Sequence, residues 1–131
     1  MDQSKIGDLA KRIMGAYEGA LVSGMGYLGD EMALYRAMHE QGPSTSDEVA
    51  NRAGLHERFV REWLSLQAAA GLIEYQGDGL FHLSPEAGLL LAEEDEIRSM
   101  ARWFDNFPQR TALLSEIPRS FRTGVGISWS D

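Results

Sequence analysis

Arg58 and Arg61 are the residues best spaced to touch an anion. Three apart in a segment of helical periodicity, they would share one face and could reach a phosphate or a base edge. Other chemistry has little to stand on. His39, His56 and His82 each lack a second ligand at helical or turn spacing, and the neighbouring carboxylates Glu93, Glu94, Asp95 and Glu96 would point in different directions on a helix, so no metal site is expected. The chain has no cysteine, hence no thiolate nucleophile, disulfide or thiolate metal site. No Ser, His and Asp set is suggested. Gly124-Val125-Gly126 lacks the third glycine, the preceding strand and the following helix of a nucleotide loop. No catalytic, cofactor-binding or metal-binding residue is therefore assigned.

Charge limits what the two arginines can do. Acidic residues outnumber basic ones 20 to 12, a net charge of -8, so the field of the whole chain repels phosphate backbones and anionic lipid. From Ser44 to Ser84 the acidic residues are Asp47, Glu48, Glu57, Glu62, Glu74 and Asp78, against Arg52, Arg58 and Arg61, with no lysine. Several neutralised phosphates supply most DNA affinity, and pairing with Glu57 and Glu62 at helical spacing competes for both arginines. DNA is thus a disfavoured partner. No stretch is long and apolar enough for a membrane span and no signal peptide opens the chain, so a cytoplasmic location is expected.

The elements that would position these residues follow from periodicity and punctuation. Ile6, Leu9, Ala10, Ile13, Tyr17, Ala20, Leu21 and Met25 recur at the three-to-four spacing of an amphipathic helix from Ile6 to Leu28. Gly15, Gly19, Gly24 and Gly26 weaken that helix, each by up to about 1 kcal/mol relative to alanine. Support must come from outside it, either by folding back within the subunit or from a second copy, with close helix approach at Gly15 and Gly19. Asp30–Gln41 reads as the next helix, stopped by Gly42-Pro43. Ser44-Thr45-Ser46-Asp47-Glu48 then offers a hydroxyl cap with an acidic residue near the third position, opening a short helix through Ala53. The Gly54-Leu55 turn leads to a longer helix, His56–Ala70.

Alternation in Leu72–Tyr75 and Leu80–Leu83 around Gln76-Gly77-Asp78-Gly79 predicts a hairpin, and Ser84-Pro85-Glu86 starts a helix through Leu91. Helix, helix, helix and hairpin in this order is a winged helix-turn-helix. The fold expected is mainly α, with a two-stranded wing and extra N- and C-terminal helices. The acidic run Glu93–Glu96 should open a further helix carrying Ile97, Met100, Ala101, Phe104 and Phe107 up to Pro108, followed by a short helical stretch Arg110–Ile117 ending at Pro118. The expected division is an N-terminal extension (1–28), the winged-helix unit (29–91), a C-terminal extension (92–118) and a tail (119–131) without periodicity. The helix after the turn carries two apolar rows: Val60, Leu64 and Ala68, and beside them Phe59, Trp63, Leu66 and Ala70. A DNA-reading helix normally buries one row and exposes polar residues to the groove.

Three strings, Gly26–Tyr35, Glu57–Leu64 and Ala68–Tyr75, with Phe81–Glu86 after them, resemble the N-terminal winged-helix domain of bacterial class I S-adenosylmethionine-dependent methyltransferases. The resemblance covers roughly residues 25–91, and Arg58-Phe59-Val60-Arg61-Glu62-Trp63-Leu64 is its most specific part. It implies a homodimerisation domain that helps cover a small-molecule substrate pocket, with S-adenosylmethionine bound by a following Rossmann-like domain. That domain's Gly-x-Gly motif has no counterpart here, and the tail is expected to lead toward it. Residues expected at the lid are Tyr17, Met25, Tyr27, Trp103, Phe104 and Phe107. A dimer interface is expected at Ile13, Gly15, Gly19 and Leu21. A winged-helix transcriptional regulator holding DNA through Arg58 and Arg61 stays open as the alternative, as does a stand-alone interaction or ligand-sensing protein.

Overall fold

The computed structural model describes residues 1–94 and 99–128. Its elements are α1 (Gln3–Glu31), α2 (Leu34–Met38), α3 (Ser46–Ala53), α4 (Glu57–Ala69), β1 (Glu74–Tyr75), β2 (Phe81–His82), α5 (Pro85–Leu91), a 3-10 turn (Ala101–Phe104), α6 (Phe107–Ala112), a second 3-10 turn (Leu113–Ser115) and α7 (Ile117–Thr123). The mainly α winged helix-turn-helix is therefore present. Thr45 caps α3 through a capping box: its hydroxyl accepts from the Glu48 amide at 3.2 Å and its own amide donates to the Glu48 carboxylate at 2.8 Å. The left-handed Gly54 (φ 69°) then ends α3 and starts the turn.

Leu34, Tyr35, Met38, Val49, Val60, Trp63, Leu64, Ile73, Phe81 and Leu83 form the core between α2, α3, α4 and the wing. The strands are shorter than the alternation predicts, because Ile73 and Leu83 leave the ladder to enter this core. Ser44, wholly buried, forms an isolated antiparallel bridge to Phe81 with reciprocal 2.8 Å backbone bonds, a third pairing that the sequence pattern did not announce.

Three sequence expectations are corrected. The helix expected over Asp30–Gln41 does not exist as one piece: α1 runs on to Glu31, past the boundary expected at Leu28, and Ala33 adopts a left-handed conformation (φ 57°) that ends any right-handed helix. Arg36 secures this kink by donating to the Asp30 carbonyl at 3.1 Å and pairing with its carboxylate at 3.4 Å. The long helix expected from Glu93 to Pro108 is replaced by the 3-10 turn and α6, and Asp95, Glu96 and Ile97 lie outside the described residues. Pro108 and Pro118, read as stops, sit instead in the first turns of α6 and α7, where the missing N–H has no helical acceptor to lose. Consequently α7 occupies part of the tail expected to lack structure.

Every residue of α1 from Gln3 to Leu21 is exposed, so among the described residues no element folds back over it. A folded monomer of 14.5 kDa would expose roughly 6,900 Å². This chain exposes 9506 Å², an excess of roughly 2,600 Å² over that size relation.

Candidate interaction groove

The groove is built where α1 is clamped to the winged helix. Gly29 has no side chain because none fits: a Cβ there would collide with the Tyr35 ring and stand 2.6 Å from Trp63 Cζ2. The two rings meet edge to face, 5.1 Å between centroids, and the Trp63 indole N–H donates to the Met25 carbonyl at 2.9 Å. Behind them the Tyr35 hydroxyl donates to Gln67 Oε1 at 2.8 Å in the core. Burial, helped by the nearby Asp30 charge, pushes the Tyr35 phenol well above its ordinary range, so it stays a donor. Gln67 is wholly buried, and its Nε2 is the buried side-chain polar atom without a partner among the described residues.

On α4 the two apolar rows divide as they must. Val60 and Leu64 enter the core, while Phe59, 70% exposed, and the half-buried Leu66 turn outward beside Trp63. With Met25 and Leu28 of α1 and Met32 of the kink they line an open groove of about 880 Å³, and Glu62, His56 and Ser65 supply most of the polar groups on it. Such a surface accepts apolar side chains, not phosphates.

The expected lid residues do not share one cavity. Met25 lines the groove, whereas Trp103, 79% exposed, lines a separate cleft of about 390 Å³ with Phe104, Leu72, Leu90 and Met100. Phe104 also covers Gly26, and Phe107 approaches Gly24, where a Cβ would stand 3.3 Å from Phe107 Cε1. Tyr27 is half-buried and Tyr17 is 68% exposed on the free part of α1. Of the expected dimer residues, Ile13 and Leu21 are exposed, and Gly15 and Gly19 have nothing within 4 Å of a built Cβ. The close approaches on α1 occur at Gly24, Gly26 and Gly29 instead. Glycine spacing signalled that α1 needs close neighbours, and within the subunit it is Gly24, Gly26 and Gly29 that meet them.

The arginines are largely occupied. Arg61 pairs with Glu57 at 3.6 Å, and Glu57 also accepts from the Ser46 hydroxyl at 2.7 Å. Arg52 donates to the Ala37 carbonyl and to Ser44 Oγ, both at 2.8 Å, tying α3 to the end of α2. Arg58 lies 6.0 Å from the centroid of Phe59. On the wing, His82 Nδ1 and a Glu74 carboxylate oxygen lie 3.1 Å apart, a contact that lowers the Glu74 pKa. His39 lies 3.7 Å from Glu93, and His56 holds the N-cap position of α4 without a side-chain bond to it. No group of three or more His, Asp or Glu side chains arranged for a metal ion occurs among the described residues. Nor is any helix among them long and apolar enough to cross a membrane.

This architecture recurs in methyltransferases. The mitomycin 7-O-methyltransferase MmcR matches with a TM-score of 0.75 and 22% identity over 94% of this chain and 36% of its own. N,N-8-amino-8-demethyl-D-riboflavin dimethyltransferase (RosA) from Streptomyces davawensis matches with a TM-score of 0.71 and 25% identity over 88% of this chain and 34% of its own. Human N-acetylserotonin methyltransferase, solved in complex with SAM, matches with a TM-score of 0.70 and 16% identity over 90% and 36%. The chain thus spans about a third of the length of these structures. No curated protein matches the sequence. The model of the Rv2258c-like winged HTH domain matches residues 20–93, the stretch from the clamped part of α1 through α5, and the chain belongs to that family.

Proposed function

We propose that this chain is the N-terminal dimerisation and substrate-lid domain of an S-adenosylmethionine-dependent methyltransferase acting on a small molecule. The methyl donor would bind, and the chemistry would occur, in a separate catalytic domain of a longer protein. The observation that carries the reading is the free part of α1: 19 consecutive exposed helical residues, with Ile6, Leu9, Ile13, Tyr17 and Leu21 on one stripe and Gly7, Gly15 and Gly19 among them. A helix of this length and glycine content is marginal alone in water. Counted over two chains the surface excess, roughly 5,200 Å², is also of the order that permanent dimers bury, roughly 2,000–5,000 Å² over both partners. The methyltransferase folds matched above support the enzyme class.

Light scattering across micromolar concentrations should give a dimer, and Ile13→Asp, which places a charge on the stripe, should weaken it at least tenfold. A wild-type monomer throughout that range would overturn the reading. Calorimetry should detect no stoichiometric binding of S-adenosylmethionine by this chain.

A DNA-binding regulator draws on the helix-turn-helix topology and on the exposed Arg58. Binding that falls steeply with salt and is lost in Arg58→Ala would favour it. The pairing of Arg61 and Arg52 with groups of the chain itself weighs against it.

A further inference from the structure

The apolar stripe of α1 reads the same in both directions about Tyr17. Ile13 and Leu21 lie four residues either side of it, Leu9 and Met25 eight, and Ile6 and Leu28 eleven. At 3.6 residues per turn all of these point within about 80° of the Tyr17 direction, whereas Gly15 and Gly19, two residues either side, face the opposite way. A two-fold axis through Tyr17 therefore brings apolar residue onto apolar residue along the whole helix, in an antiparallel pair.

Charge selects the same direction. The first part of α1 holds Lys5, Lys11 and Arg12, with Asp2 and Asp8 at its start. After Tyr17 the helix holds Glu18, Asp30 and Glu31 and no basic residue. Antiparallel pairing sets Lys5 of one copy opposite position 29 of the other, beside Glu31 and the Arg36-paired Asp30, while parallel pairing stacks like ends on like and brings the two globular bodies together.

We infer that the groove beside Trp63 receives the N-terminal half of α1 from a second copy, the two helices crossing antiparallel at Tyr17. This rests on the dimer proposed above and adds its orientation, register and docking site. Ile6 and Leu9 of one copy lie over Leu28 and Met25 of the other, at the lip of the groove that Phe59 and Met32 leave uncovered. The contact is isologous, so both grooves are filled at once. Gly15 and Gly19 take no part in it.

The absence of cysteine makes the register directly readable. Packed helix axes stand about 8–10 Å apart, and Cα atoms lie about 2.3 Å from each axis, so facing Cα atoms come within disulfide reach. Tyr17→Cys should oxidise to a covalent dimer. A refolded mixture of Ile6→Cys and Leu28→Cys chains should form the mixed disulfide at least tenfold faster than either homodisulfide, and Gly15→Cys should cross-link at least tenfold more slowly than Tyr17→Cys. If Ile6→Cys pairs with itself faster than with Leu28→Cys, the helices are parallel and the inference falls. A dimer by light scattering that forms no α1 cross-link, or cross-links as readily through Gly15→Cys, also overturns it while leaving the dimer reading intact. A monomer removes both.

Discussion

The two parts of α1 share one backbone and one apolar stripe, yet they live in different surroundings. From Val22 to Glu31 the helix is held by Phe104, Phe107, Tyr35 and Trp63, with Gly24, Gly26 and Gly29 at the contacts. From Gln3 to Leu21 every residue is exposed, and its glycines open onto empty space. The same residue type therefore has opposite meanings along one helix. Where a ring occupies the Cβ position, glycine is a packing requirement; where nothing does, it is a local weakness that a partner must offset.

Alanine substitutions test this contrast most sharply. Gly29→Ala forces a methyl into the Tyr35 and Trp63 rings and should cost about 1–3 kcal/mol by overpacking. Gly15→Ala should stabilise by up to about 1 kcal/mol, since it gains helix propensity with no clash. Thermal unfolding monitored by circular dichroism should move in opposite directions for the two variants; a shift of the same sign would break the comparison.

Tyrosines give the next largest difference. Tyr35→Phe removes the hydroxyl that Gln67 Oε1 accepts from, leaving a buried amide with neither end partnered, at a cost of about 1–3 kcal/mol. Tyr17→Phe keeps the apolar ring on the free stripe and should leave thermal stability nearly unchanged. Equal losses in the two variants would mean that Tyr17 is not free.

Acid should produce the smallest effect, and along α1 it should reach the free part before the clamped one. Asp2 caps α1, and its carboxyl is held below its ordinary 3.8 first by the Ser4 hydroxyl and then by the backbone amides of Lys5 and Ser4. A carboxyl whose pKa is lowered by folding contributes stability fully above the unfolded value, and that contribution is lost as pH falls through the lowered one. Below about pH 4, amide exchange in the first turns of α1 should accelerate before it does near Gly29. Asp2→Asn should remove the pH dependence while keeping a capping oxygen.

What the sequence made legible follows the same division. The winged unit could be read because caps, turns and periodicity there agree: Thr45 with Glu48, Gly54, and Ser84 before Pro85 each perform the local task their type suggests. The apolar excess of α4 was legible as well, through Phe59 beside Trp63. The groove itself was not, because its far wall depends on the kink at Ala33, a residue without a sequence signal for left-handed backbone. Pro108 and Pro118 misled for a related reason: a proline ends one helix and begins the next with equal ease, and only the surrounding packing decides. Ser44 escaped because its burial depends on pairing with Phe81, far along the chain.

The hydrogen bond from Trp63 to the Met25 carbonyl has a mechanical consequence. It sits near the root of a rod whose free length, 19 residues at 1.5 Å each, is about 28 Å. On such a lever a tilt of about 5° at the root moves the tip by about 2.5 Å, half a helical turn. Small rearrangements of the Tyr35 and Trp63 rings would therefore become large displacements of Ile6, and a load on the tip would be felt as torque at the indole.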